Sequence, residues 1–75
     1  AYDLRLGEAA RAAGDAPALR RVAHSLKSVL LLLGEDEASA TARRLEHAAE
    51  AGDWPACQGP WQAVAAALRR MATGG

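Results

Sequence analysis

Apolar residues recur every three or four positions through the middle of the chain, which predicts an amphipathic helix there. This apolar stripe consists of Leu19, Val22, Ala23, Leu26, Leu30 and Leu33. We expect the helix to begin after Asp15, whose carboxylate can cap the first amides, with Pro17 in the first turn, where its missing N–H group costs nothing. Gly34 should end it, because glycine readily adopts the left-handed conformation that follows a helix. The pattern therefore predicts a helix over 16–33.

The same periodicity predicts three further helices, over 2–13, 36–51 and 54–72. Their expected inner faces are Tyr2, Leu6, Ala10 and Ala13 in the first, Ala38, Ala42, Leu45 and Ala49 in the third, and Trp61, Val64, Ala65 and Leu68 in the fourth. Gly7 weakens the first of these helices, since glycine is a poor helix former. Pro60 predicts a kink or a restart of the last helix at 59–60.

The links between these helices are short and repeat the same chemistry. The segments AGDAPA at 13–18 and AGDWPA at 51–56 each offer a glycine stop, an aspartate cap and a proline in the first turn. Four helices with short links predict an all-α fold, an antiparallel four-helix bundle formed by one domain over 1–75. Because much of the apolar content is alanine, the core must rest on a few leucines, valines and tryptophans.

Charge and cysteine content exclude several classes of function. Nine basic and nine acidic side chains give a formal net charge of zero, so no global field attracts nucleic acid or a membrane surface. Cys57 is the single cysteine, which excludes an internal disulfide and a cysteine-based zinc site and suits a reducing compartment. The apolar run at 29–33 is too short to cross a bilayer, and the N-terminus shows no signal-peptide pattern. We therefore expect a cytoplasmic domain with no cofactor and no metal.

One face of the second predicted helix carries candidate chemistry. Helical geometry places His24 about 160° from Leu26 and therefore away from the apolar stripe. The other residues expected on this outward face are Arg20, Arg21, Lys27, Ser28 and Leu31, with Leu32 at its edge. A neutral imidazole is a nucleophile near pH 7, and neighbouring cations disfavour its charged form. Phosphoryl transfer needs mainly positioning and positive charge near the transferred oxygens. The face suits a phosphoryl acceptor, with an ordinary surface histidine as the alternative.

The residues around His24 resemble the histidine phosphotransfer (HPt) family, four-helix phosphorelay modules often found at the end of hybrid sensor kinases. The family pattern is Ala-His-x-Leu-Lys-Gly with a second glycine ten positions after the histidine, and it is matched by Ala23, His24, Leu26, Lys27 and Gly34. A second match follows in Leu45-Glu46 and Gly52-Asp53. The resemblance covers roughly 12–72.

This resemblance implies a stoichiometric phosphoryl carrier of two-component signalling, not an enzyme that turns over a substrate. His24 would accept a phosphoryl group from the aspartyl phosphate of one response-regulator receiver domain and pass it to another, with Lys27 as the assisting cation. Nε2 would be the nucleophile, the other ring nitrogen being held by a local acceptor. Docking of the receiver would use Arg20, Arg21, Leu31 and Leu32. The domain could be fused to a hybrid sensor kinase.

Several positions depart from the family pattern. Ser28 stands where the family has glycine, which lets a receiver approach closely, and Val29 and Leu30 stand where it prefers small residues. Helical geometry places Val29 and Leu30 nearer the core side. The first helix looks shortened, which leaves one side of the bundle thinly covered. Truncation of the chain, a homodimer or helix exchange would account for this.

Two other interpretations stay open. One is a degenerate HPt-like bundle that is not phosphorylated and serves as a dimerisation or docking module, which Ser28 and the Val29-Leu30 pair favour. The other is the dimerisation domain of a histidine kinase, but that family has an acidic residue directly after the histidine and a proline downstream, which Ser25 and the leucine run do not match.

The remaining candidate residues favour structural roles. His47 is expected on the surface, and with His24 and Cys57 it lacks the spacing of a metal site. Trp54 and Trp61 are expected to pack in the core or at a bundle end. Glu46 is expected to form a structural bond or a solvated pair, and Cys57 to be a partly buried thiol.

Overall fold

The computed structural model describes residues 2–74 of the chain, with side chains described over 4–72. The elements are α1 (Tyr2–Ala13), α2 (Ala16–Leu32), α3 (Asp36–Glu50) and α4 (Trp54–Gly74), and the described residues contain no strand. α2 packs against both α1 and α3, and α3 packs in turn against α4. The predicted all-α, four-helix fold is confirmed.

The turns between helices use the chemistry that the repeated links predict. The amide of Ala18 donates to Oδ1 of Asp15 at 3.1 Å, and the amide of Ala56 donates to Oδ1 of Asp53 at 3.2 Å. The three glycines that end α1, α2 and α3 have positive φ angles: Gly14, Gly34 and Gly52. Each turn therefore depends on the left-handed conformation, which a side chain would strain.

The end of α2 differs from the prediction. The helix ends at Leu32, so Leu33 is the C-cap and its side chain is 60 % exposed instead of lying on the inner face. Val29, expected near the core, is 42 % exposed, whereas Leu30 is fully buried. The reason is that over residues 29–33 only one side of α2 faces the other helices. The last turns of α2 therefore leave four apolar residues at least 40 % exposed: Val29, Leu31, Leu32 and Leu33.

The core consists of two adjoining clusters. The first surrounds Trp61 and contains Ala10, Leu19, Ala23, Leu45, Ala49, Cys57 and Ala65. The second contains Val22, Leu26, Leu30, Ala42 and Val64, with Ala38, Leu68 and Met71 packed at its edge. The inner faces that periodicity predicts for α3 and α4 match these clusters.

α1 is rotated relative to the prediction. Its buried residues are Gly7 and Ala10, with Leu4 half-buried, whereas Leu6 is 42 % exposed and Ala13 is exposed. The predicted inward position of Tyr2 lies outside the described side chains. The rotation has a physical cause: the ring of Trp61 lies against Gly7, where a Cβ atom would overlap it. Gly7 is therefore the point of close contact between α1 and α4, and the Arg11 guanidinium lies 5.9 Å from the Trp61 ring centroid.

α4 passes through Pro60 as one continuous helix, so the predicted restart does not occur. Proline cannot donate to the carbonyl four residues earlier, which here belongs to Ala56. Ala56 is exposed, so water can replace the missing donor.

Candidate functional site

His24 lies on the outward face of α2, where helical geometry predicts it. Its side chain is 61 % exposed, while the neighbouring Ala23 and Leu26 are fully buried. The rigid inner face of the helix therefore holds the backbone of His24 in place while its ring faces solvent.

A carboxylate from the neighbouring helix contacts both His24 and Lys27. Nδ1 of His24 lies 2.9 Å from Oε2 of Glu46, and Nζ of Lys27 donates to Oε1 of the same residue at 2.9 Å. The Glu46 side chain is only 11 % exposed. One side chain of α3 thus binds two residues of α2 that lie one helical turn apart.

Packing around this contact brings the two helices close together. Ala42, one turn before Glu46, and Leu45, its neighbour, are fully buried against the inner face of α2. Oγ of Ser39, another buried residue of α3, donates to the backbone carbonyl of Lys27 at 2.9 Å. Small side chains and this hydrogen bond therefore hold α3 close enough to α2 for the Glu46 side chain to contact His24 and Lys27.

The charge of Lys27 affects which groups carry a hydrogen in the contact between Glu46 and His24. The hydrogen bond from Lys27 lowers the pKa of Glu46 below its usual value of 4.5, assisted by the bond to His24 and opposed by burial. An ionised carboxylate only accepts hydrogen bonds, so Nδ1 of His24 must carry the hydrogen. In the neutral ring the lone pair then belongs to Nε2.

Sequence reasoning missed this role of Glu46. It expected a local acceptor for the ring and cations around it, but the group in contact with the imidazole is an anion from another helix. The two residues are 22 positions apart, which no helical periodicity can connect. The signal that could have found Glu46 was the Leu45-Glu46 match to the HPt pattern.

The family model of the Hpt domain matches residues 3–74, nearly the whole chain. The chain belongs to the Hpt domain family. Hpt domains are phosphocarrier modules of two-component phosphorelays, and they interact with the receiver domains of response regulators. Comparisons with curated proteins and with solved structures gave no match.

The other residues predicted for the site of this Hpt domain lie on two sides of His24. Arg20, Arg21, Ser28, Leu31 and Leu32 are all exposed. Ser28 and Leu31 line an open groove between α2 and α3, together with Lys27 and Glu46. Arg21 lies on the other side, in a shallow groove with Leu6 of α1. The predicted docking residues are therefore not all in one groove.

The groove between α2 and α3 also contains residues that sequence reasoning did not assign to the site. Arg43 and His47 of α3 line it, one turn before Glu46 and directly after it. Helical periodicity describes each helix alone, so it cannot show that this face of α3 adjoins the Lys27 face of α2.

The remaining candidates lie apart from this site. Trp61 is buried and Trp54 half-buried, both against the core. Cys57 is 1 % exposed rather than partly buried, and burial raises its pKa. Among the described residues, no three His, Cys, Asp or Glu side chains are grouped as a metal site requires. No helix within 2–74 is both long enough and apolar enough to span a membrane.

Proposed function

We propose that this Hpt domain carries a phosphoryl group on Nε2 of His24. It receives the group from the aspartyl phosphate of one receiver domain and passes it to the aspartate of another. The observation that carries the proposal is the bond between His24 and Glu46, which puts the lone pair of an exposed ring on Nε2.

The transfer step is a substitution at phosphorus. The Nε2 lone pair forms the N–P bond while the P–O bond of the aspartyl phosphate breaks, and the electron pair of that bond returns to the receiver carboxylate. The ring gains positive charge as the bond forms. Glu46 accepts a hydrogen bond from Nδ1 and stabilises this charge, since an anion within hydrogen-bond distance favours a cationic partner. The second transfer reverses these bond changes on another receiver.

Lys27 contributes positive charge next to the reacting nitrogen. Its side chain is 30 % exposed and its Nζ is held by Glu46, one helical turn from His24. Phosphoryl transfer depends on such positioned charge around the phosphoryl oxygens. Lys27 also balances the charge of Glu46, which keeps that carboxylate ionised.

Docking of the receiver would be transient and use the exposed face around His24. Leu31 and Leu32 supply apolar area, and Arg20 and Arg21 attract the acidic phosphorylation pocket of a receiver and speed encounter. Ser28 is small enough for close approach of the receiver loop. We expect a buried area below about 1,200 Å², typical of weak signalling contacts. The predicted cytoplasmic location, fusion to a hybrid sensor kinase and homodimer stay predictions.

The direct test is incubation with a phosphorylated receiver domain, followed by intact mass measurement of the chain. We expect one acid-labile, alkali-stable phosphoryl group on the wild type and none on His24→Gln. His47→Gln is the matched control, because His47 is also an exposed helical histidine, but among the described residues the histidine ring that bonds Glu46 is that of His24. It should be labelled like the wild type.

The opposite result favours the second interpretation. If several phosphorylated receivers leave the folded wild type unmodified, the domain is a docking module that no longer accepts phosphate. Ser28→Gly then tests whether the serine blocks the approach of the receiver, since this change restores the family residue at that position.

A further inference from the structure

The groove between α2 and α3 begins next to the contact of His24 with Glu46 and extends over α3. Its α2 wall continues from Lys27 to Ser28 and Leu31, and its α3 wall continues from Glu46 to Arg43 and Ala40. Leu31 is 62 % exposed, and Ser28 and Ala40 are small and exposed. An apolar side chain, small residues and a cation therefore line the groove together with Lys27 and Glu46, and Glu46 is the residue that contacts the ring of His24.

Arg43 is the arginine of this groove, and the proposed function does not use it. It is exposed, and in the described part of the chain no ion pair joins it. Its position three residues before Glu46 places it about 4.5 Å away along the helix axis. Asp36 and Glu50 lie at the two ends of the groove, each about 10 Å along the axis from Arg43. Arg43 and Lys27 therefore place positive charge beside Glu46, while the carboxylates of Asp36 and Glu50 lie at the two ends of the groove.

Its neighbour Arg44 has a different environment. Arg44 is also exposed, but it donates a hydrogen bond to Oγ1 of Thr41 at 3.3 Å and lies outside this groove. A helix turns by about 100° per residue, which separates the directions of the two side chains. The chain thus offers two adjacent arginines of equal charge, of which one lines the groove.

We infer that a receiver domain docks over this groove, against α3 as well as α2, and that Arg43 contacts acidic side chains beside the receiver's phosphorylated aspartate. This inference rests on the proposed function. Charge complementarity favours this occupant, because a receiver presents an acidic pocket around its aspartate and must approach the nitrogen of His24. The groove on the other side of His24 holds Arg21 and Leu6 of α1 but does not contain Lys27 or Glu46.

Arg43 then acts on encounter and on partner choice, not on the bonds that change. A charge at the rim of an interface mainly changes the association rate and its salt dependence. Reversing that charge opposes an acidic partner by like-charge repulsion, which is how interfaces exclude wrong partners. Arg43 is therefore a determinant of which receiver this domain accepts.

The test measures single-turnover phosphotransfer from a phosphorylated receiver at increasing receiver concentration. At low salt we expect Arg43→Glu to lower the second-order rate constant about tenfold, within the range over which mutations change association rates. The rate at saturating receiver should stay close to that of the wild type. Arg44→Glu should change both rates less than about twofold. High salt should reduce the difference between the rate constants of the two variants, since salt screens exposed charges.

A second measurement works without phosphate. Titration of the labelled domain with unphosphorylated receiver should shift the amide resonances of Ala40 and Arg43, with smaller shifts at Leu6 of α1. Equal rates for Arg43→Glu and Arg44→Glu, or shifts confined to the α1 side, would overturn the inference. Absence of phosphate on the wild type would instead contradict the proposed function, and the amide shifts would still show where the receiver docks.

Discussion

Nδ1 of His24 lies 2.9 Å from Oε2 of Glu46 across the interface of α2 and α3. The same carboxylate accepts a hydrogen bond from Lys27, so one side chain contacts both residues of α2 that we propose for phosphoryl transfer. It also determines which ring nitrogen carries the hydrogen. The ring of an exposed histidine is thus held by a nearly buried residue of another helix.

Replacing Glu46 by glutamine should slow phosphoryl acceptance. The amide keeps the size of the side chain but removes the charge, and its NH₂ group can donate to Nδ1 and favour the wrong tautomer. We expect a decrease of about tenfold to a hundredfold, which corresponds to the loss of one hydrogen bond to a charged group. Single-turnover phosphotransfer measures the rate, and ¹⁵N NMR of the His24 ring measures the tautomer.

Glu37→Gln is the control for this substitution, because Glu37 is an exposed carboxylate of α3 that lies outside the groove between α2 and α3. Its transfer rate should equal that of the wild type. A Glu46→Gln protein that transfers at the wild-type rate with an unchanged tautomer would show that the carboxylate does not orient the ring.

Removing Lys27 should raise the pKa of Glu46. The Lys27 hydrogen bond is the largest cause of the lowered pKa, while burial acts in the opposite direction. In Lys27→Met we therefore expect the carboxyl group to titrate at a higher pH, as followed by ¹³C NMR of its side chain. Arg44→Met controls for the loss of one positive charge elsewhere on the surface. Equal titration curves in wild type and Lys27→Met would contradict the expected coupling.

The lowered pKa of Glu46 also predicts that the fold loses stability in acid. Because the folded-state pKa of Glu46 lies below its usual value of 4.5, ionisation of this group favours folding at pH values above about 4.5. The contribution disappears as pH falls through the lower folded-state pKa. The free energy of unfolding in urea should therefore fall more steeply on acidification in the wild type than in Glu46→Gln. Parallel curves for the two proteins would exclude this contribution.

A methyl group at Gly7 should destabilise the fold although alanine is the better helix former. The added Cβ would overlap the Trp61 ring, and overpacking of this kind costs about 1–3 kcal/mol. Gly59→Ala is the control, since a Cβ atom there meets nothing within 4 Å apart from its chain neighbours. It should change stability less than Gly7→Ala, because the helix propensity of alanine is opposed by the restriction that Pro60 places on the residue before it. Thermal unfolding of both variants separates the two effects, and a stable Gly7→Ala protein would contradict the close contact.

Substitutions of two adjacent leucines should affect different properties: that of Leu30 the stability of the fold, and that of Leu31 the binding of a receiver. Leu30 is fully buried, so Leu30→Ala should cost about 2–5 kcal/mol of unfolding free energy. Leu31 is 62 % exposed, so Leu31→Ser should leave stability nearly unchanged and weaken binding of the receiver. Urea unfolding and calorimetric titration with a receiver measure the two properties. Unchanged receiver affinity in Leu31→Ser would remove this residue from the docking surface.

Features that depend on neighbours along the chain can be predicted from the residue pattern alone. The helices, their glycine stops, the Asp15 and Asp53 caps and the exposure of His24 follow from local geometry, since backbone hydrogen bonds and helical periodicity act within about four residues. The family motif around His24 is local in the same sense, because its residues lie within a few helical turns of one another along the chain.

Other features depend on how the helices pack against one another. Trp61 against Gly7 determines the rotation of α1, and this contact joins residues 54 positions apart in the chain. The approach of α3 to α2 brings Glu46 to His24 and Lys27 and places Arg43 in the same groove. Periodicity identifies the side of each helix that is apolar, but the distance and rotation between helices depend on side-chain shape. The groups that control His24 are therefore visible only in the packed bundle.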